Sequence, residues 1–527
     1  MKPLIILLPI IIFGLFLRIH RLDSRPLGFT WDEAALGYNA YSILKTGRDE
    51  HSQVMPIVFK SFGDYKPGLY IYFTTPIIKV LGLTEFATRL PSAIFGTLLI
   101  PVIYLLVKIQ KGKAFSLSSA LMIAINPWAI HFSRGAWEAN LSLLLTSLAV
   151  LLFLKKKNYS SSLFFGLTFW AYQGAKLFTP LLIISLLFIY RPILKNLIKP
   201  FLVILFILLP ILLKIGTESG RLKVFSVFGY TRPDAVVSEI MRQDNSPTKN
   251  LSYYLFHSEL LDQGRGIAQR YLNHFSSQFL FINGDWSNPR HSTPYYGYLH
   301  LPEVITLFIG IILLLKSQSP LSRLILAWLL LAPLPSALSR DIVSGVRSLP
   351  MIIPLIIISG LGLSKILSKK LLIFLYFPVL LFFLLYLLDL YFVHYPHYFA
   401  SDWLSPYKPA LKLAADNYSR YQKIIFTSQY GQPYIFTLFY LRIDPKIYQS
   451  QNKFQANPQR DVGSVSRLDR FEFRPIYWPS DRGLTSTLFI GGQYELPEKD
   501  LNIPGIERFA DINFPNGQIA LRAVGLR

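Results

Sequence analysis

PLIILLPIIIFGLFLRIHRLDSRPLGFTWDEAAL, residues 3–36, decides how the rest of the chain is read. Its first half is an apolar run of the length that crosses a bilayer as a helix. Only Met1 and Lys2 precede that run and no small-residue cleavage site follows it, so it reads as a retained signal anchor. Its second half places two adjacent carboxylates, Asp32 and Glu33, beside Trp31 a few residues beyond the run. Carboxylates at a membrane surface lose hydration and need a compensating task. One such task is modest: AALGYNAYSILK follows, and acids at a helix N-terminus are favoured by the helix dipole. The other is chemical, as a proton acceptor.

The whole composition agrees with a membrane protein. Hydrophobic residues make up 52% of the 527, aromatics 15%, and the mean hydropathy is +0.38, outside the ordinary soluble range. The net charge of +23 does not point to nucleic acid, because of where it lies. Basic clusters sit in short connections between apolar runs: Lys108, Lys111 and Lys113; Lys155 to Lys157; Arg191, Lys195 and Lys199; Lys316 and Arg323; Lys365, Lys369 and Lys370. None of these connections contains an acid, which is the positive-inside pattern of cytoplasmic loops. About eleven spanning helices follow from the ~20-residue criterion, near 4–19, 88–107, 115–133, 139–154, 160–174, 177–190, 200–215, 300–315, 321–337, 348–364 and 371–393. The N-terminus is then cytoplasmic in a multi-pass protein of the cytoplasmic membrane. With no cysteine, disulfides and thiolate metal sites are excluded.

Two outer loops are long. In the first, near 20–87, YNAYSILKTG and GLYIYFTTPIIKVLG have the look of short helices lying in the interface. The second spans about 216–299 and is polar. Residues 1–398 form the expected transmembrane domain, and 399–527 a small extracytoplasmic α/β domain. In that domain PYKPALKLAADNYSRY has helical period, KIIFTS and TLFIGG read as buried strands, and a terminal hairpin turns at Asn516-Gly517.

This topology gathers polar residues on one side. Asp32, Glu33, Asp64 and Lys66 fall in the first outer loop; Arg134 and Glu138 in HFSRGAWEAN; Tyr172 and Lys176 in WAYQGAKLF; Arg290, His291 and Tyr295 in NPRHSTPYYG; Arg347 in SRDIVSGVRSLP. Such a set suits transfer of a sugar from a lipid phosphate. Cations neutralise the charge that develops on the leaving phosphate, a carboxylate accepts the proton of the incoming hydroxyl, and apolar helices hold the lipid tail.

GFTWDEAALGYNAYSILKTG, DYKPGLYIYF and ATRLPSAIFGTLLIPVIYLL together resemble the opening of GT-C class glycosyltransferases, in particular bacterial relatives of protein O-mannosyltransferases and the lipid A aminoarabinose transferase. The resemblance is good over roughly residues 10–110, looser to 365, and a matter of layout beyond. It implies an α-helical polytopic fold with interfacial helices in the first outer loop, and an inverting single displacement. It makes Asp32 the general base, with Glu33 supporting it or binding the acceptor. The family's Lys-Pro-Pro element is matched by Lys66-Pro67, with Gly68 in third place. The Trp-Trp-Asp signature of oligosaccharyltransferases is absent, which argues against en bloc transfer to asparagine.

The expected donor is a polyprenyl phosphate-linked sugar, its phosphate held by Lys66, Arg290 and Arg347. Asp64, Arg134, Glu138, Tyr172, Lys176, His291 and Tyr295 line the expected substrate cavity. Blander readings stand beside these: Lys66 as a snorkelling anchor, and Arg134 with Glu138 as a helical ion pair. Asp32 and Asp64 are the carboxylates placed to hold a divalent metal if one is used. No glycine-rich phosphate loop for a nucleotide sugar occurs; GLG at 360–362 lies inside an apolar run and reads as helix packing. No nucleotide, redox cofactor or nucleic acid is expected, and the acceptor is left open among protein, lipid and glycan. A transporter or flippase for a lipid-linked glycan is the rival reading, and a membrane scaffold a third. A transport path needs charged groups through the bilayer, whereas here the apolar runs are nearly free of acids.

Overall fold

The computed structural model describes residues 3–109, 112–213, 232–451, 454–455, 463–502 and 504–526. The start of the polar segment near 216–299, read above as the second outer loop, lies outside the described residues.

Every segment read as spanning carries a helix, but not always an unbroken one. The run at 115–133 divides into Lys113–Ile125 and Pro127–Ser133, bent by 53°. The break follows from Asn126-Pro127: proline cannot donate to the preceding turn, and the Asn126 side chain accepts from the Ala129 N–H at 2.9 Å to cap the second piece. By length and composition, Glu85–Lys108, Pro320–Ala337, Leu349–Ile366 and Lys370–Phe399 can each cross a membrane, and the bent pair makes a fifth candidate. Ile5–Ile19, Leu69–Leu81, Glu138–Leu154, Ala175–Tyr190 and Ile198–Leu212 are apolar but shorter. On that criterion alone the crossings among the described residues are four or five, fewer than the eleven read from hydropathy and loop charge.

The helices pack through small residues. A Cβ on Gly310 would meet the Ile358 carbonyl oxygen at 2.0 Å, and one on Gly362 the Thr306 carbonyl oxygen at 1.9 Å. Backbones come this close only where one partner lacks a side chain, so GLG serves packing.

The segment near 20–87, read above as an outer loop, departs from expectation at one of its two helices. Trp31–Thr46 does not lie open in an interface. It is buried from Glu33 to Ile43 except at Tyr41, because the C-terminal region covers it: Phe439 packs on Gly37, and Tyr38 Oη donates to the Ile443 carbonyl at 3.1 Å. Leu69–Leu81 keeps the amphipathic form, burying Tyr70, Ile71, Thr74 and Ile78 while exposing Phe73, Val80 and Leu81. Between the two helices, Val58–Ser61 and Asp64–Pro67 pair as an antiparallel hairpin, turning at Phe62 (φ 55°) and Gly63 (φ 94°).

The C-terminal region is built on a seven-stranded mixed sheet. Lys423–Phe426 lies between Phe471–Phe473 and Thr487–Gly491, parallel to both, and Ile519–Leu526 runs antiparallel to Thr487–Gly491. The terminal hairpin turns where expected, with Gly517 at φ 84° and Phe514 N–H bonded to the Gln518 carbonyl at 2.9 Å. The helix read from PYKPALKLAADNYSRY covers Tyr407–Asp416. This region is tied to the membrane helices at Glu85, which accepts from Lys408 at 2.5 Å and from the Tyr440 hydroxyl at 2.7 Å.

Candidate active site

The site starts at the capped end of Trp31–Thr46. Thr30 accepts from the Glu33 N–H and the Glu33 carboxylate accepts from the Thr30 N–H, a reciprocal capping box. That geometry turns Glu33 inward. Its Oε1 accepts from Arg89 Nε at 2.8 Å and from the Ala136 N–H at 2.9 Å, and its Oε2 from Arg89 Nη2 at 3.0 Å. Arg89 also donates to the carbonyls of Leu22, Pro26 and Gly28. Both side chains are buried. A fork of this kind fixes the chain between the first two helices, and it occupies both Glu33 oxygens. With both oxygens held inside the protein, the geometry suits the supporting role expected of Glu33 better than contact with an acceptor.

Asp32, one position earlier and about 100° around the helix, takes the opposite course. Its carboxylate is 41% exposed and pairs with Lys66 from the hairpin. Burial presses the Lys66 ammonium toward neutrality, but Asp32 and Glu138 outweigh it and hold its pKa above the ordinary lysine value. Arg290 is close enough to repel Lys66. The backbone of Asp64 pairs with Ser61 in the hairpin; its side chain lies outside the described residues.

The HFSRGAWEAN turn is divided. Glu138 opens the helix Glu138–Leu154 and faces Lys66 and Asp32. Arg134 points elsewhere: fully buried, it donates to the carbonyls of Leu17 at 2.8 Å, His20 at 2.6 Å and Arg25 at 3.0 Å. It thereby satisfies the open end of the first helix, with Tyr391 and Phe392 against its guanidinium. Neither a pair with Glu138 nor a place in a substrate cavity describes it. Tyr172 lies near enough to interact with both Glu138 and Arg347. The turn that carries it is fixed to the Lys66 strand, Gln173 Nε2 donating to the Tyr65 carbonyl at 2.8 Å. Lys176 is half-buried in the first turn of Ala175–Tyr190. A small cavity beside these groups is lined by Ala139, Ser142, Thr146, Tyr172, Phe178 and Arg347.

In NPRHSTPYYG the three chosen residues separate. His291 Nδ1 donates to Asp285 Oδ2 at 2.7 Å, and the same oxygen accepts from the Gly345 N–H at 2.8 Å. Burial lowers the His291 pKa against the pull of Asp285. The Asp285 carboxyl, although burial opposes it, is held below the usual range by His291, Gly345 and Ser287. His291 thereby fixes, through Asp285, its loop to the turn that carries Arg347, and stays within electrostatic reach of Arg290 and Arg347. Tyr295 is 62% exposed and meets Tyr398 edge-on, again away from the cluster. Arg290 does reach it, its guanidinium 5.6 Å from the centre of the Trp31 ring. Arg347 pairs with Asp341. Among the described residues no group of three or more His, Asp or Glu side chains is arranged to hold a metal ion.

Asp32, Lys66, Glu138, Tyr172, Arg290 and Arg347 thus form one electrostatically linked group. Three residues that organise it, Arg89, Asp285 and Trp31, are not among the expected site residues. Arg89 stands in ATRLPSAIFG and Trp31 beside the acid pair, so a signal was present for both; Asp285 sits in an unremarkable NGDWSN.

Comparisons with known proteins bear on this arrangement. Residues 65–214 match the family model described as dolichyl-phosphate-mannose-protein mannosyltransferase. The fold is similar to that of ArnT from Cupriavidus metallidurans in the apo state, with TM-score 0.55, 12% identity, and 99% of this chain and 97% of that one covered. The values are the same for that protein bound to undecaprenyl phosphate. The Archaeoglobus fulgidus oligosaccharyltransferase tethered with an acceptor peptide aligns at TM-score 0.49 and 13% identity, over 98% of this chain and 74% of that one. No curated protein matches the chain by sequence. The family match over residues 65–214 and the fold similarity over nearly the full length fall on the same chain of helices, and what they show is a fold shared with ArnT.

Proposed function

We propose that this protein moves a single sugar from a polyprenyl phosphate carrier to an acceptor hydroxyl at the outer face of the cytoplasmic membrane, with inversion. The observation that carries the reading is the half-exposed Asp32 carboxylate on Lys66, with Glu138 and Arg290 beside them. The acceptor oxygen attacks the anomeric carbon, the bond from that carbon to the phosphate oxygen breaks with its electron pair leaving on the phosphate, and the hydroxyl proton passes to Asp32. Lys66, Arg290 and Arg347 neutralise the leaving phosphate. A phosphate that draws Lys66 toward itself also frees Asp32 to act as base, so donor precedes acceptor. ArnT, whose fold the chain shares, is known bound to undecaprenyl phosphate, which supports a donor of this type.

The same reading takes eleven crossings, a cytoplasmic N-terminus and an outer domain beginning near residue 399. Cysteine placed at the exposed Ser466 is expected to react with an impermeant thiol reagent in intact cells, and cysteine at the exposed Lys156 is not. The reverse labelling overturns the orientation. For activity, membranes carrying the protein are supplied with radiolabelled polyprenyl phosphate sugars. Label should appear on an acceptor, and a donor that is only moved across the bilayer unchanged would favour the transporter.

A further inference from the structure

The three cations assigned to the phosphate are not in the same condition. Lys66 is committed to Asp32 and Arg347 to Asp341. Among the described residues Arg290 makes no ion pair; its guanidinium lies over Trp31, 5.6 Å from the ring centre. Its backbone is fixed, the Arg290 carbonyl lying 2.8 Å from His131 Nε2. Trp31 is fixed as well. It is the first residue of the capped helix, and Gly431 of the C-terminal sheet region lies against its indole. A Cβ at Gly431 would stand 2.7 Å from Trp31 Cζ3, and Gly431 has φ +87°, a conformation that favours glycine. The Gly431 carbonyl in turn accepts from the Tyr407 hydroxyl.

We propose that Trp31 is a positioning residue: clamped by Gly431, it holds Arg290 off the neighbouring Asp32 and presents it to the donor phosphate. This rests on the lipid-phosphate reading above and adds a role for the C-terminal region, which through Gly431 sets a cation of the site. An aromatic face attracts a guanidinium without neutralising it, so an arginine parked on Trp31 keeps its charge for an incoming anion. A carboxylate partner would not leave it so.

The test is donor binding, measured with a polyprenyl phosphate in detergent, for Arg290→Ala, Trp31→Ala, Trp31→Phe and the double variant Trp31→Ala/Arg290→Ala. Arg290→Ala should weaken binding roughly ten-fold or more, the scale of one lost charge-assisted contact. Trp31→Ala should weaken it about three- to ten-fold, the range of a partly desolvated cation–π contact. Trp31→Phe should restore most of the loss, and in the double variant removal of Trp31 should add nothing to removal of Arg290. Gly431→Ala, which drives a methyl into the indole, should behave like Trp31→Ala. If Arg290→Ala binds normally, the phosphate reading itself fails at this residue. If Arg290→Ala is weakened but Trp31→Ala is not, or if the two losses simply add, the positioning role is overturned while the phosphate reading stands.

Discussion

Asp32 and Glu33 are neighbours in sequence and belong to two differently built regions. Behind the helix Trp31–Thr46, Glu33 and Arg89 are buried together, with both carboxylate oxygens and the whole guanidinium bonded. In front of it, Asp32 is 41% exposed and meets Lys66 among Glu138, Arg290 and Tyr172. A buried pair with every hydrogen bond satisfied is rigid and hard to disturb, and it stabilises mainly by forbidding alternatives. A half-exposed pair surrounded by further charge can exchange partners with an incoming anion. The helix thus separates a frame from a reactive surface, and the capping box determines which acid goes where.

The contrast can be broken from the frame side first. Arg89→Ala leaves Glu33 buried without its partner and three carbonyls without a donor; a loss of about 3–5 kcal/mol of stability is expected, read as a collapse of the thermal transition or of expression. Wild-type melting would mean that the rear region is not a frame. On the front, Lys66→Ala and Arg347→Ala should each weaken donor affinity by about 1.5–3 kcal/mol with the melting temperature little changed. Donor binding at the wild-type level in both would reduce them to surface anchors. Glu33→Gln keeps one acceptor oxygen toward Arg89 but strands the other contact, so about 1–3 kcal/mol of stability should be lost, with turnover per folded molecule largely kept. A severe loss of turnover at unchanged stability would place Glu33 with Asp32 after all.

Glu50, in the same loop, sharpens the comparison because its ion-pair neighbour, His51 at 3.9 Å, is kept neutral by burial, which lowers its pKa to about 4. It is buried against Asn39, and burial pushes its pKa up to about 8. An acid whose folded pKa lies above its unfolded value stabilises fully below the unfolded value, and that stability drains away as pH rises through the folded one. Stability should therefore fall between about pH 4.5 and 8, by up to about 1.4 kcal/mol per pH unit. Glu50→Gln should melt higher than the wild type at pH 8 and equally at pH 5. Parallel pH profiles for the two would show that Glu50 is ionised without cost.

Much of the fold was legible because hydropathy and turn chemistry act locally. The helical segments, the strands KIIF and TLFIG and the turn at Asn516-Gly517 all stand where their residues place them. The break at Asn126-Pro127 was also local and was passed over, since an apolar run on both sides hid a proline. What could not be read was which polar residues meet. Arg134 and Glu138 are four apart and face different parts of the molecule, because Arg134 caps the end of Pro127–Ser133 and Glu138 begins the separate helix Glu138–Leu154. His291 finds Asp285 across a loop and Arg89 finds Glu33 across two helices. Those pairings are set by tertiary packing, on which periodicity is silent. The burial of YNAYSILK had the same origin: its cover comes from residues some 400 positions away, such as Ile443 bonded to Tyr38.

The most direct test of the division is Asp32→Asn measured beside the wild type for three quantities on the same preparation: melting temperature, donor affinity and transfer rate. Asparagine keeps the shape and removes the base. The account predicts unchanged melting, donor affinity within a few-fold of wild type, and turnover lower by roughly 100-fold or more, the scale of general-base removal. Normal turnover, or a loss of turnover matched by an equal loss of folded protein, would contradict it and leave both acids as parts of one structural cap.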